Sequence, residues 1–370
     1  MPKIKVGLGY DIFVDTDSLK KLGEVIKQES LSDKAVIITD PLVNSLHGAT
    51  LRSGLRDAGI KFETIEIPRG EKSKSLRTVA RIYDQLVKLK IHRDSLIIAF
   101  GGGVIGDLAG FVAATYMRGI DYIQVPTTLL AQVDASIGGK TGVNHPKGKN
   151  LIGSFYQPKM VYIDIKILST LPEKELRTGL AEVVKYGVIH DRDFFKFLEE
   201  NSKHLNTKPF EDKDLLRAAL KLWQTIVCES AKIKAWVVNE DETEKGLRMI
   251  LNFGHTFGHP LETLTGYKTY THGEAVAIGM VVATTLANRI RMIDKSVVER
   301  IISLLKNLGL PTLIENNLSA KRIFNVINID KKVRRDKIHY ILPERIGKGV
   351  IRDDINPVTV RKILKELGAR

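Results

Sequence analysis

The first part of the chain alternates two hydrophobic periods. Short β-branched runs, AVIITD (35–40), ETIEIP (63–68), SLIIAF (95–100), YIQVP (122–126) and MVYIDI (160–165), predict strands. Between them, stretches such as SLRTVARIYDQLVKLK repeat their apolar positions at helical spacing. That order predicts a parallel-rich sheet covered by helices. From about Leu171 nearly every segment reads as amphipathic helix, beginning with LPEKELRTGLAEVVKYGVI, where Pro172 suits a first helical turn. The expected division is an α/β domain over 1–169 and an all-α domain over 170–370. AVAIGMVVATTLA (275–287), the longest uncharged apolar run, is too short to span a bilayer and reads as a buried helix. No repeat or low-complexity tract interrupts the pattern.

Composition narrows the partners. MPKIKVGLGYDIFV alternates like a strand without an unbroken apolar region, which argues against a secretory signal. The single cysteine, Cys228, excludes an intrachain disulfide and fits a reducing compartment. A net charge of +14 would suit nucleic acid, an anionic membrane or small anionic substrates. Acids are interleaved with the bases, and the one dense run, KKVRRDK, lacks aromatic neighbours for base stacking, so neither nucleic acid nor membrane is expected.

GGGVIG (101–106) follows a predicted strand and leads into DLAGFVAATYM. Gly101, Gly103 and Gly106 thus have the G-x-G-x-x-G spacing that lets backbone N–H groups approach a pyrophosphate. The next strand ends in Pro126-Thr127-Thr128 instead of a ribose-binding acid, whereas an earlier one ends in Asp40. A nucleotide on this sheet would meet Asp40 with its ribose and the glycines with its phosphates. Glycines that serve only strand-to-helix packing are the alternative.

VDASIGGKTGVNHPKGKNLIGSFYQP (133–158) scatters Asp134, Lys140, Asn144, Lys147, Lys149 and Asn150 among glycines. It is expected to form loops whose cations face a phosphate or carboxylate. Glu182 and Lys185 share a helix face, as a plain ion pair or as part of a site. His255, His259 and His272 are three of only nine histidines. His255 and His259 are also on one face, but Thr256 stands where a zinc protease has its glutamate. A catalytic zinc commonly takes three protein ligands. Four candidates, Glu182, His255, His259 and His272, compete for those places, and spacing does not choose between them. Pro260 is expected to bend its helix.

GGGVIGDLAGFVAATYMRG, VPTTLLAQVDASIGGKTGVN, KGKNLIGSFYQP, LRTGLAEVVKYG, DETEKGLRMILNFGHTFGH, THGEAVAIGM, and DKK (330–332) with LPERIGKG resemble the signature blocks of the 3-dehydroquinate synthases. The blocks keep the family's order over nearly the whole chain. The resemblance implies a cytoplasmic, homodimeric enzyme of the shikimate pathway that uses NAD and a divalent metal, zinc or cobalt. The implied reaction takes 3-deoxy-D-arabino-heptulosonate 7-phosphate to 3-dehydroquinate and phosphate by transient oxidation, phosphate elimination, reduction and aldol closure. Sister cyclases acting on sedoheptulose 7-phosphate and metal-dependent polyol dehydrogenases are the neighbouring activities. Arg248 and Lys140, which suit a carboxylate, favour the heptulosonate.

By the same resemblance Glu182, His255 and His272 are metal ligands, and His259 lies beside the substrate phosphate. Asp40, Glu71, Lys74, Gly103, Val104, Ile105, Gly106, Asp107, Thr127, Thr128 and Lys149 correspond to NAD contacts, with Thr170 and Leu171 near that cofactor. Asp134, Lys140, Asn150, Lys185, Lys234, Arg248, Asn252 and Lys332 (or Lys331 in its place) correspond to substrate contacts. Arg118 resembles an arginine that reaches the neighbouring subunit's substrate phosphate.

Overall fold

The computed structural model describes residues 2–206, 216–315, 318–334 and 337–370, without the side chains of 329–334. The chain divides into two compact units, Met1–Pro172 with Lys213–Glu242, and Glu173–Asp212 with Thr243–Arg370.

The first unit is built on β1 (Lys3–Val6), β2 (Tyr10–Asp15), β3 (Lys34–Thr39), β4 (Lys61–Glu66), β5 (Leu96–Gly101), β6 (Tyr122–Pro126), β7 (Lys140–His145), β8 (Gly148–Phe155) and β9 (Met160–Asp164). Seven of these form one sheet in the order β1-β2-β9-β6-β5-β3-β4. Only β1–β2 is antiparallel. Its helices are α1 (Leu22–Gln28), the single turn α2 (Pro41–Val43), α3 (Ala49–Asp57), α4 (Leu76–Lys88) and α5 (Gly103–Thr115). Alternate strand residues feed two apolar layers. Val36 and Ile38 pack with Val79, Ile82 and Leu86 of α4 and Leu108 and Val112 of α5. Ile37, Ile98 and Val125 pack with Leu22 and Ile26 of α1 and Leu51 and Leu55 of α3. Both faces are covered, which is why the central strands read as unbroken apolar runs.

The segment 133–158 departs from the expected loops. β7 and β8 pair as an antiparallel hairpin with Gly142 opposite Gly153. Val143 is fully buried in the layer that holds α5. Glycine-rich pairing without apolar alternation hides such strands from a pattern reading.

The second unit contains α6 (Glu173–Ile189) and α7 (Arg192–Leu205), and later α9 (His255–Leu264), α10 (His272–Arg289), α11 (Lys295–Asn307), α12 (Ala320–Arg334) and α13 (Pro357–Glu366). Between the last two helices lies a two-stranded hairpin, β10 (Tyr340–Arg345) and β11 (Lys348–Arg352), an addition to the helices foreseen. α10 is buried almost throughout, packing against α6, α9, α11 and α13.

The intervening helix α8 (Leu216–Glu240) belongs with the first unit, not with 170–370 as its position suggested. It packs on β1 and β2 and on the turn Ala131–Ala135. Asn239 accepts from the Gly7 N–H at 2.8 Å, and Lys234 reaches Asp134 at 2.5 Å. An amphipathic period states that a helix has a partner but not which one.

Candidate active site

In the first unit the glycine loop opens α5, whose N-terminus has no side-chain cap. No capping side chain accepts from the N–H groups of the first turn, an arrangement in which a helix start can take an anion. The glycines have different reasons. A Cβ on Gly106 would stand 2.6 Å from Gln124 Oε1, whereas one on Gly103 would meet only Ala135, at an ordinary 3.4 Å. Gly106 therefore serves packing and Gly103 leaves open space, a mixture of the two readings of the motif.

Around this loop the expected nucleotide residues form linked pairs. Asp40 is buried and caps α2, accepting from Leu42 N at 3.0 Å and Val43 N at 3.2 Å. Lys74, also buried, bridges Asp107 and Asn150 Oδ1. Burial pushes the Asp107 carboxyl up against the pull of Lys74. Asn144 Nδ2 donates to Glu71 at 2.6 Å, and Asn144 Oδ1 accepts from Asn150 N at 2.9 Å. Asn144 thus ties an expected cofactor contact to an expected substrate contact. Thr127 is buried beyond β6, and Thr128 Oγ1 accepts from Ala131 N at 3.2 Å. Thr170 Oγ1 is 2.8 Å from His47 Nε2, and Leu171 follows it. Lys140 and Lys149 are exposed on the β7–β8 hairpin. Arg118 is exposed in a turn where Met117, Arg118 and Gly119 all have positive φ (49°, 67° and 118°). For the two non-glycines that costs about 1 kcal/mol or more each, strain of the kind that clusters at functional positions.

In the second unit, three elements converge. Glu182 on α6 is 0 % exposed, His255 begins α9 and His272 begins α10. Nε2 of both histidines lies 3.3 Å from Glu182 Oε1. Lys185, one turn along α6 and 2 % exposed, pairs with Oε2. Burial works against a charge on Glu182, yet Lys185 and His255 hold its carboxyl well below the usual range. Burial likewise opposes a charged His272, but Glu182 and Glu262 raise it to about 10.

These side chains suit a cation. Neither buried oxygen of Glu182 has a hydrogen bond of acceptable geometry. The donor atoms of Glu182, His255 and His272 lie within 4.8 Å of one another. One carboxylate with two imidazoles is a donor set for zinc or a similar ion. His259, the fourth candidate, is exposed, with its ring centroid 5.2 Å from that of His255. α9 runs on through Pro260. Arg248 is 2 % exposed in the turn Leu247–Asn252. Asn252 Nδ2 donates to Glu244 Oε1 at 2.8 Å. Lys331 and Lys332 lie on α12, with side chains outside the described residues.

Sequence reasoning missed Glu244 and Glu262. Glu244 has φ +61°, and Glu262 is buried against His272. A carboxylate at helical spacing or in a charged loop looks like solvated surface, so only the DETEKG loop next to Arg248 carried a signal.

Residues 64–178 match the family model for the 3-dehydroquinate synthase N-terminal region, and 179–333 match the C-terminal one. The 3-dehydroquinate synthase of Thermodesulfovibrio yellowstonii is 46% identical over 369 residues, 99% of this chain and 100% of its own. The chain belongs to the 3-dehydroquinate synthase family. A second 3-dehydroquinate synthase, from Caldanaerobacter subterraneus, is 48% identical over 358 residues, covering 97% of this chain and 96% of its own. Among solved structures, 2-epi-5-epi-valiolone synthase from Streptomyces hygroscopicus, with NAD+ and Zn2+ bound, superposes with TM-score 0.87 at 27% identity, covering 99% of this chain and 98% of its own. An iron-containing alcohol dehydrogenase from Thermotoga maritima, at 16% identity and TM-score 0.67, covers 99% of each chain and shares the fold alone. As a 3-dehydroquinate synthase the chain is an enzyme of the shikimate pathway. Among the described residues no helix is long and apolar enough to cross a membrane.

Proposed function

We infer that the chain converts 3-deoxy-D-arabino-heptulosonate 7-phosphate into 3-dehydroquinate and phosphate, with NAD and one divalent metal ion, zinc or cobalt, in the cytoplasm. The observation that carries this reading is the convergence of two imidazoles on a buried carboxylate whose oxygens make no hydrogen bond of acceptable geometry, in a chain that also carries an uncapped glycine-rich helix start.

Glu182, His255 and His272 would hold the metal, which supplies Lewis acidity that polarises a sugar oxygen. Gly103 to Asp107, Asp40, Glu71, Lys74, Thr127, Thr128, Lys149, Thr170 and Leu171 would hold NAD, which supplies a reversible hydride acceptor. Lys185 keeps Glu182 ionised, the form in which its oxygens can bind a metal. Arg248, a buried guanidinium, suits the substrate carboxylate, and Lys140, Asn150, His259 and Lys332 suit its oxyanions. Asp134 and Lys234 form a preset pair that can orient sugar hydroxyls. Asn252, fixed by Glu244, presents its amide in a defined direction. No dedicated base is needed beside the phosphate, whose own oxygens can take a proton. The strained turn supports Arg118 as a residue offered to a second copy of the chain, in a homodimer whose sites are shared.

Purified protein given the heptulosonate phosphate, NAD and zinc is expected to release phosphate with no net NADH. Turnover of sedoheptulose 7-phosphate alone would overturn the substrate assignment. NADH accumulating in step with product would make the protein a dehydrogenase.

A further inference from the structure

The imidazole of His272 is held from both sides. Its Nε2 faces Glu182 at 3.3 Å, and its Nδ1 lies 3.3 Å from Glu262 Oε2. His255 repeats the pattern, with Nε2 3.3 Å from the same Glu182 oxygen and Nδ1 3.2 Å from the Phe253 carbonyl oxygen. Each ring thus turns one nitrogen inward and has an acceptor behind the other. An acceptor at Nδ1 takes the single proton of a neutral imidazole, leaves the Nε2 lone pair for a cation and fixes the ring plane. Glu262 is 6 % exposed, two turns after His255 on α9, so it is not a solvated surface acid.

We propose that Glu262 is a positioning residue that sets the tautomer, orientation and basicity of the metal ligand His272. This rests on the reading of Glu182, His255 and His272 as the metal site. His259, Glu262 and His272 also bring donor atoms within 4.8 Å of one another, so a second ion there is the competing arrangement. Filling both sites would bind His272 at both nitrogens and strip its last proton. A neutral imidazole serves one ion and one acceptor.

Zinc affinity of the full-length protein, measured by competition with a chromophoric chelator, and the visible spectrum of the Co2+ form test the proposal. Wild type should bind one zinc per chain. Glu262→Ala should weaken zinc by about 10–100-fold and alter the cobalt bands. Glu262→Gln, whose amide oxygen still accepts the Nδ1 proton without adding charge, should keep the wild-type bands with an affinity between the two. Equal affinity in wild type and both variants overturns the role. So does a second zinc in wild type that Glu262→Ala alone loses. If Glu262→Ala does not fold, wild-type zinc affinity in Glu262→Gln overturns the contribution of the charge. Failure of the underlying site looks different: wild type binds no zinc, or His272→Ala binds it normally.

Discussion

Glu182 is a carboxylate that the interior of a helical unit would ordinarily reject, and the Lys185 ammonium beside it offsets the cost of keeping its charge there. Removing its charge should cost metal binding and also lower stability, because the buried Lys185 loses its counter-ion. Glu182→Gln and His272→Ala are each expected to lose bound zinc and phosphate release together, as measured by metal analysis alongside a phosphate assay. Full zinc content in either variant would contradict the ligand assignment. Arg118→Ala should lower turnover at least a hundredfold, on the order of 3 kcal/mol, while NAD affinity stays unchanged by calorimetry. Heterodimers pairing an Arg118→Ala subunit with a chemically dead partner should reveal whose site the arginine serves. At this scale the sequence was legible where a residue type is rare in its setting, as with His255 and His272 beside an apolar run. Spacing left His259 as an equal candidate, and only the family resemblance separated the ligands. Glu262 stayed hidden because its partner is a ring nitrogen ten residues away across a turn, a relation without a periodic signature.

Elements bring these residues together through close helix contacts. A Cβ on Gly279 of α10 would run into the Gly254 carbonyl, and one on Gly258 of α9 would stand 2.9 Å from the Ala275 carbonyl oxygen. The two helices that carry His255 and His272 therefore approach backbone to backbone. Gly279→Ala should cost about 1–3 kcal/mol by overpacking, seen as a lower melting midpoint, and should weaken zinc binding as the helices part. Gly103→Ala should do the reverse, leaving the midpoint within about 0.5 kcal/mol while reducing NAD affinity about tenfold or more. An unchanged NAD affinity would contradict the reading that Gly103 leaves room for the cofactor. The parallel strands were legible because burial on both faces writes an unbroken β-branched run. The β7–β8 and β10–β11 hairpins were not, since glycine in the first and Pro343 with charged ends in the second erase that signal. The allegiance of α8 was invisible because amphipathicity does not name the surface it covers.

For the whole molecule, a charge of +14 has only part of its explanation in a site for a substrate bearing phosphate and carboxylate. No salt-sensitive affinity for RNA or DNA is expected near 0.15 M ionic strength, about where nonspecific phosphate attraction is already screened. Binding that falls steeply between low and moderate salt, yet persists there with sequence preference, would call for a second function. The most direct measurement is a zinc titration of metal-free protein in saturating NAD and heptulosonate phosphate, following phosphate release. Activity should rise linearly from zero and break at one zinc per chain. Full phosphate release without any divalent metal, or a break at two, would contradict a single ion held by Glu182, His255 and His272.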